Sequence, residues 1–324
     1  MNPQILGLHH VTAMTSSAEK IYHFFSDILG LRLIKKTVNQ DDIETYHLYF
    51  TDDQGTPGTD MTFFDFPGIP KGKKGTNTIS RIAFRVKNDT TLAYWVARFN
   101  DYHVTHGEIQ ERFGRSYVEF EDFDNQRYQL ISDEGITGVA SGFPWKNANI
   151  PGEHAIVGLG PAFVTIANYE QMQLVLTDVL GFRLVDAQGS FHLFEVGDGG
   201  NGASIIVEHR TDLSAAREGY GNVHHLALRV TDEEALRYWI DKINRLELPN
   251  SGFIERFYFK SEYFLAAPHI LFELATDGPG FFKDESYEHA GEALSLPPFL
   301  EKRREKVEAF IRPFDTSDAN TPRK

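Results

Sequence analysis

The sequence predicts an α+β protein built from four βαβββ repeats, with helices outside strongly curved sheets that form two cups. Three observations carry this. Residues 7–33 align without gaps on 158–184 at an offset of 151, and four further anchors share an offset of 144. The chain also holds 26 Phe and 13 Tyr, residue types that suit sheets and an aromatic-walled pocket.

At offset 151, Gly7 falls on Gly158, Asp27 on Asp178, Leu29 on Leu180, Gly30 on Gly181 and Arg32 on Arg183. At offset 144, Ile82-Ala83-Phe84-Arg85-Val86 falls on Leu226-Ala227-Leu228-Arg229-Val230, and Tyr94-Trp95 on Tyr238-Trp239. Glu111-Arg112-Phe113 likewise falls on Glu255-Arg256-Phe257, and Asp133 on Asp277. In the first unit, apolar periodicity predicts a strand over 8–15, a helix over 17–29, a glycine break, then strands over 31–38, 45–51 and 60–66. Repeat 3 follows the same plan, with the segment before Phe191-His192-Leu193 shortened by six residues relative to the one before Tyr46-His47-Leu48. Repeats 1 and 2 span 1–145, repeats 3 and 4 span 146–282, and 283–324 form a tail. Within it, PPFLEKRREKVEAFIRP suits a short amphipathic helix packed on the body or on a partner subunit of a homo-oligomer.

Composition narrows the function. A net charge of −14 repels nucleic acid and anionic membrane surfaces. The absence of cysteine excludes disulfides, thiolate metal sites and cysteine nucleophiles, leaving His and carboxylates as metal ligands. The first residues lack the basic and apolar regions of a signal peptide, and no run reaches the roughly 18 apolar residues of a membrane span. A soluble cytoplasmic enzyme acting on a small molecule is the expectation.

The repeats give the histidines their meaning. His10 aligns with Pro161, His225 with Arg81 and Glu273 with Gln129, so one pseudo-symmetric half carries two imidazoles and a carboxylate where the other carries none. A lone histidine on an apolar strand is usually a satisfied core residue. Here the residue types change while the surrounding pattern persists, which favours a metal-binding half and a blind one. Two His and one carboxylate from three strands form the facial triad of non-haem Fe(II) enzymes.

The segments LHHVTAMT, GLRLIKKTVNQDD, TYHLYFTDDQGTPGT, HHLALRV, FELATDGPGF and LPPFLEKRR resemble the bacterial hydroquinone-type ring-cleaving dioxygenases of the vicinal oxygen chelate superfamily, which also includes glyoxalase I. The resemblance runs from residue 5 to about 312. It implies Fe(II), or Mn(II) on the same ligands, held by His10, His225 and Glu273, with O2 cleaving the ring of a hydroquinone-like aromatic diol. It also implies a pocket containing His9, Thr12, His224, Arg256 and Tyr263: Arg256 to hold an anionic oxygen, Tyr263 and His224 to donate protons. Tyr263 lies ten residues before Glu273, a spacing similar to that of the active-site Tyr in catechol extradiol enzymes. The period of a strand puts Thr12 on the face of His10 but turns His9 and His224 away from it, unless the strand twists there. Pro161 removes the ligand position that catechol-cleaving relatives use, so repeats 1 and 4 are expected to close into one cup and 2 and 3 into the other.

Other features are assigned elsewhere. His47 and His192 recur in paired repeats, as a fold position would; His23 is a surface or boundary residue; His209 has no assigned role. The run Pro70–Gly75 lacks the Gly-Lys-Ser/Thr ending of a phosphate loop and reads as a mobile exposed loop. A glyoxalase-like lyase would need a fourth ligand, for which Asp65 is the candidate; a metal-free aromatic-binding protein would need no triad.

Overall fold

A computed structural model describes residues 2–323. The strands of repeat 1 run over Leu8–Met14, Arg32–Val38, Tyr46–Thr51 and Asp60–Asp65, within a residue of the predicted bounds. The helix differs from a plain 17–29 segment. Ser17 caps it by accepting from the Lys20 amide, an α-helical stretch covers Ala18–His23, and the chain then widens into a π-helical turn over Phe24–Ile28. Repeat 3 repeats the device, with Asn168 as cap, Tyr169–Leu174 as α-helix and Val175–Val179 as π-turn. Gly30 (φ 68°) and Gly181 (φ 78°) then reverse the chain in the left-handed region that glycine enters freely.

Two sheets result. The first orders its strands Ile254–Glu255, Lys260–Ala267, Ile270–Thr276, Asn222–Val230, Leu8–Met14, Asp60–Asp65, Tyr46–Thr51 and Arg32–Val38. Thus it consists of strands from repeats 4 and 1. The second runs Arg183–Gln188, Phe191–Glu195, Ser204–His209, Leu159–Ile166, Thr78–Val86, Arg127–Ser132, Arg115–Glu121 and Thr105–His106, with Gln110–Arg112 pairing onto Arg115–Glu121. It is built from repeats 3 and 2.

Each sheet is joined at its centre by two antiparallel opening strands, and the two seams share one register. In the first, Leu8 opposes Leu228, Val11 opposes Leu226, Thr12 opposes His225 and Ala13 opposes Val223. In the second, the offsets carry these pairs onto Leu159 with Phe84, Ala162 with Ile82, Phe163 with Arg81 and Val164 with Ile79. Two irregularities interrupt each ladder, one per strand. They lie between Leu8 and His10 and between Thr12 and Ala13 in the first seam, and at the equivalent places in the second. Each inserts one residue without a partner, a β-bulge.

The principal core lies between the sheets and the helices. Phe25, fully buried on the π-turn, is within 4.9–5.0 Å of Phe63 and Phe50 of the first sheet and 5.9–6.0 Å of Tyr128 and Phe84 of the second, measured between ring centroids. The tail packs back on repeat 1. Its two short helices, Pro298–Glu301 and Arg304–Phe310, bury Leu300 and Val307. Three cations of the strand Arg32–Val38 tie it down: Arg32 donates to the Tyr287 carbonyl and the Asn320 side chain, Lys35 pairs with Asp284 and Glu285, and Lys36 donates to the Phe314 carbonyl. The run Pro70–Gly75, expected as a mobile loop, is instead bridged to 214–220, with Gly72 N–H on the Tyr220 carbonyl and Lys73 and Arg217 exchanging backbone bonds. The backbone groups of two long connections satisfy one another there. No helix among the described residues is long and apolar enough to cross a membrane.

Because Phe25 touches both sheets, Phe25→Ala is expected to cost about 3–5 kcal/mol, the usual range for emptying a buried Phe site. Urea unfolding would show it as a lowered midpoint, and a midpoint unchanged from the parent would refute the bridging role.

Candidate metal centre

The bulges decide where the histidines point. Strict alternation would turn His9 and His224 away from the ligand face, yet each is the extra residue of its bulge, where the side chain is re-aimed. His9 and His224 therefore lie beside His10 and His225, with Nδ1 to Nδ1 distances of 2.9 and 2.8 Å. His10, Ala227 and Glu273 stand opposite one another on three adjacent strands, and Ala227, having only a methyl group, leaves room between its neighbours.

His10 Nε2, His225 Nε2 and Glu273 Oε2 converge. They are 3.2 Å apart between the two imidazoles and 3.1 and 3.0 Å from each imidazole to the carboxylate. Adjacent ligands of an octahedral ion at about 2.1 Å would be about 3.0 Å apart, so the three atoms have the spacing of one octahedral face. Glu273 Oε2 is buried and receives no hydrogen bond, although both Nε2 atoms are near. Lone pairs, not N–H groups, meet at the centre. Its other oxygen is held by the Ser261 hydroxyl. Among the described residues this is the one cluster of His and carboxylates with metal-site spacing.

Hydrogen bonding explains the free lone pair on His10. The Thr276 carbonyl, 3.1 Å from His9 Nε2, can only accept, so His9 carries its proton on Nε2. His9 Nδ1 then accepts from His10 Nδ1–H, and His10 Nε2 is left bare toward the centre. Partners that fix a ligand's tautomer in this way are usual in metal sites. Burial, with the neighbouring His10, lowers the His9 pKa to about 3, and burial lowers that of His225 to about 4. Both are neutral at neutral pH. Burial would raise the Glu273 carboxyl, but its contacts with His10 and His225 outweigh it and hold it well below the ordinary range. An ionised carboxylate buried with one oxygen free of hydrogen bonds calls for a cation. The residues fit a divalent metal held by His10, His225 and Glu273.

The centre opens on a cavity of about 320 Å³. Its walls include Phe64, Phe259, Tyr49, His47, His224 and the Arg256–Tyr263 pair. Arg256 Nε donates to the Tyr263 hydroxyl at 3.2 Å, and its Nη2 contacts Asp41 at 2.8 Å. Burial and the nearby Glu273 push the Tyr263 pKa upward, so its hydroxyl stays protonated. Asn39, Gln40 and Asp41 close one side from the segment that is six residues longer in repeat 1 than in repeat 3.

Of the residues expected in the pocket, His224, Arg256 and Tyr263 line it, whereas His9 and Thr12 do not. His9 is buried behind His10. Thr12 is fully buried between His225 Nε2 (3.0 Å) and Thr62 Oγ1 (2.7 Å), because the wall at its position is completed by the neighbouring strand. His47, expected only as a fold position, lies in the wall, bonded to Thr62 (2.9 Å) and to the Tyr49 hydroxyl (2.8 Å). Phe259, with its ring 5.1 Å from that of His10, was not singled out from the sequence. His209 belongs to the other sheet, near the Ala167 carbonyl and stacked on Tyr169. Asp65, the candidate fourth ligand, instead accepts from the Ala18 amide at the start of a helix, away from the cluster.

The geometry agrees with known proteins. The family model for the glyoxalase/bleomycin resistance protein/dioxygenase superfamily matches residues 7–130. MhqA of Bacillus subtilis (strain 168), provisionally named a ring-cleaving dioxygenase, is 44% identical over 96% of this chain and 99% of its own. The chlorohydroquinone/hydroquinone 1,2-dioxygenase of Sphingobium indicum is 29% identical over 94% of this chain and 95% of its own. A crystal structure from Bacillus subtilis, provisionally titled a dioxygenase, covers 97% of this chain and 98% of its own with 32% identity and a TM-score of 0.89. Glyoxalase I of Zea mays shares the fold alone, with a TM-score of 0.59 at 12% identity over 85% of this chain and 93% of its own. With this full-length likeness, a bulged seam and a His-His-Glu face, the chain belongs to the glyoxalase/bleomycin resistance protein/dioxygenase superfamily, in its ring-cleaving dioxygenase branch.

Proposed function

We propose that the protein is an Fe(II)-dependent dioxygenase that cleaves the ring of a hydroquinone-like aromatic diol with O2. The observation that carries this is the buried face of His10, His225 and Glu273 opening directly onto an aromatic-walled cavity with a guanidinium and a phenol. Two imidazoles and one carboxylate leave half of an octahedron open, as oxygen-using Fe(II) sites require. The hydroquinone named for the Sphingobium relative supports the substrate class.

When bound, the iron would supply the one-electron chemistry that a closed-shell ring and O2 need in order to react. The chain's own groups do the rest. Phe64, Phe259 and Tyr49 enclose a flat ring and exclude water. Arg256 keeps its charge at every working pH and stabilises an oxygen of the diol as it loses its proton. Tyr263, fixed by Arg256 and kept protonated by burial, holds a proton on its hydroxyl for an oxygen that gains negative charge. His224 accepts from His225 Nδ1–H at its own Nδ1, which places its proton on Nε2 as a second donor in the wall. The fourth ligand that the lyase alternative would need is not supplied by Asp65, which accepts from the Ala18 amide instead.

Protein prepared without oxygen and loaded with Fe(II) is expected to take up one O2 per hydroquinone and release a ring-opened acid. An oxygen electrode and product spectra test it, and equal uptake by Glu273→Ala would sink the assignment. Tyr263→Phe should lower kcat by about 10²–10⁴, the usual worth of a positioned acid; a change confined to KM would instead make Tyr263 a binding group. His9→Phe keeps a ring but removes the acceptor for His10, and metal affinity measured by chelator competition should fall about 10–100-fold. Unaltered affinity would show that the tautomer relay through Thr276 is dispensable.

A further inference from the structure

The second cup holds a cavity of about 420 Å³, against about 320 Å³ at the metal centre, although it lacks the ligand set. We infer that this cavity is a binding site for a small planar carboxylate, distinct from the metal centre. In the seam, Arg81 stands where the first cup has His225, Gln129 where it has Glu273 and Pro161 where it has His10. These exchanges remove a carboxylate and add a guanidinium, so the preference of the cup turns from cation to anion.

The lining shows the same sign. Lys74, Arg81, Arg112, Arg127 and Arg210 face two acids, Glu119 and Glu208, in a chain whose net charge is −14. Arg210 is held by Glu208 and Asp212, Arg127 by Glu121 and Arg81 by Glu119 at 2.6 Å. Arg112 forms no ion pair among the described residues. Its Nη1 and the Nε of Arg81 are buried without a hydrogen-bond partner. Arg112 thus lines the cavity with a charge that no acid among the described residues neutralises, which calls for an anion, and a guanidinium fits a carboxylate.

Arg112 is the counterpart of Arg256, and the backbone that aims it is the same. The residue after each, Phe113 (φ 54°) and Phe257 (φ 67°), adopts the left-handed conformation that bulky side chains rarely enter. Both cups thus keep a strained turn that delivers an arginine to the cavity wall. Around Arg112 the rings of Phe191, Tyr117 and Phe163 lie 4.1, 4.9 and 5.9 Å from the guanidinium carbon. Phe163 replaces Thr12 of the metal cup, and with Phe191 it gives a flat apolar wall beside the cations. Charge for the carboxylate and rings for the body select an aromatic acid or a ring-opened unsaturated acid. The site does not depend on the reaction proposed for the first cup.

Calorimetric titration of benzoate and of trans,trans-muconate into the metal-loaded full chain carrying Arg256→Met, which silences the anion partner of the metal cup, tests this. One saturable site is expected, weakened at least about tenfold by adding Arg112→Met, as for loss of a charged hydrogen bond. Tighter benzoate would identify the aromatic acid as the class, and tighter muconate the ring-opened one. Arg112→Met alone should leave O2 uptake unchanged. In the unaltered chain, intermolecular NOEs from bound benzoate should reach the rings of Phe163 and Phe191, a measurement independent of how any variant folds. No saturable binding, equal binding of benzyl alcohol, binding indifferent to Arg112→Met, or NOEs only to Phe259 and Tyr49 would each overturn the inference.

Discussion

The structure depends on the antiparallel seam between Leu8–Met14 and Asn222–Val230. It brings residues from opposite ends of the chain into register, and its two bulges let adjacent histidines share one side of a pleated sheet. Without a bulge the period of two would leave each imidazole doublet split across the sheet. With it, His10 and His225 are each held from behind or beside by another ring. Because the second seam has the same bulges at Gly160–Pro161 and Ser80, with no ligands to impose them, they belong to the fold. The metal face exploits an irregularity already present.

Much of this was legible in the sequence, because repeats constrain one another. The offsets of 151 and 144, found as residue identities, are also the offsets that superpose the two strand registers pair for pair. They marked His10, His225 and Glu273 as three residues at one place. What the alignment concealed was anything common to all copies. A bulge in both members of a pair leaves no gap, so the orientation of His9 and His224 was misjudged by simple alternation. His47 shows the reverse limit. Its recurrence as His192 argued for a fold role, yet only His47 borders a site, since equal backbone positions in two cups face different contents.

Insertions carried information as well. The six extra residues in repeat 1 supply Asn39, Gln40 and Asp41 to the rim of the metal cavity, and Asp41 reaches Arg256. The tail gives the first cup further contents. Ile34, Tyr49, Tyr258, Phe259 and Phe281 pack with Ala290 of the tail into a separate apolar cluster, whereas the corresponding cluster of the second cup holds no tail residue among the described residues. Apolar periodicity indicated that the tail would pack on something. Which surface it covers follows from Arg32, Lys35 and Lys36, three cations on one strand whose partners lie some 250 to 290 residues away. Short-range pattern contains no such pairing.

The two cups show how little must change to alter what a duplicated fold can hold. Backbone register, bulges, the strained Glu-Arg-Phe turn and the wall arginine are common to both. Three exchanges separate a face that gathers lone pairs around a cation from one that presents guanidinium donors. Gln129, with its Oε1 buried and unpartnered, adds no charge to the seam, and Arg81 pairs with Glu119 instead. Burial makes each unmatched group costly. Each cup carries such a group at a different place in the repeat, Glu273 Oε2 in one and Arg112 Nη1 in the other, and the two are opposite in sign.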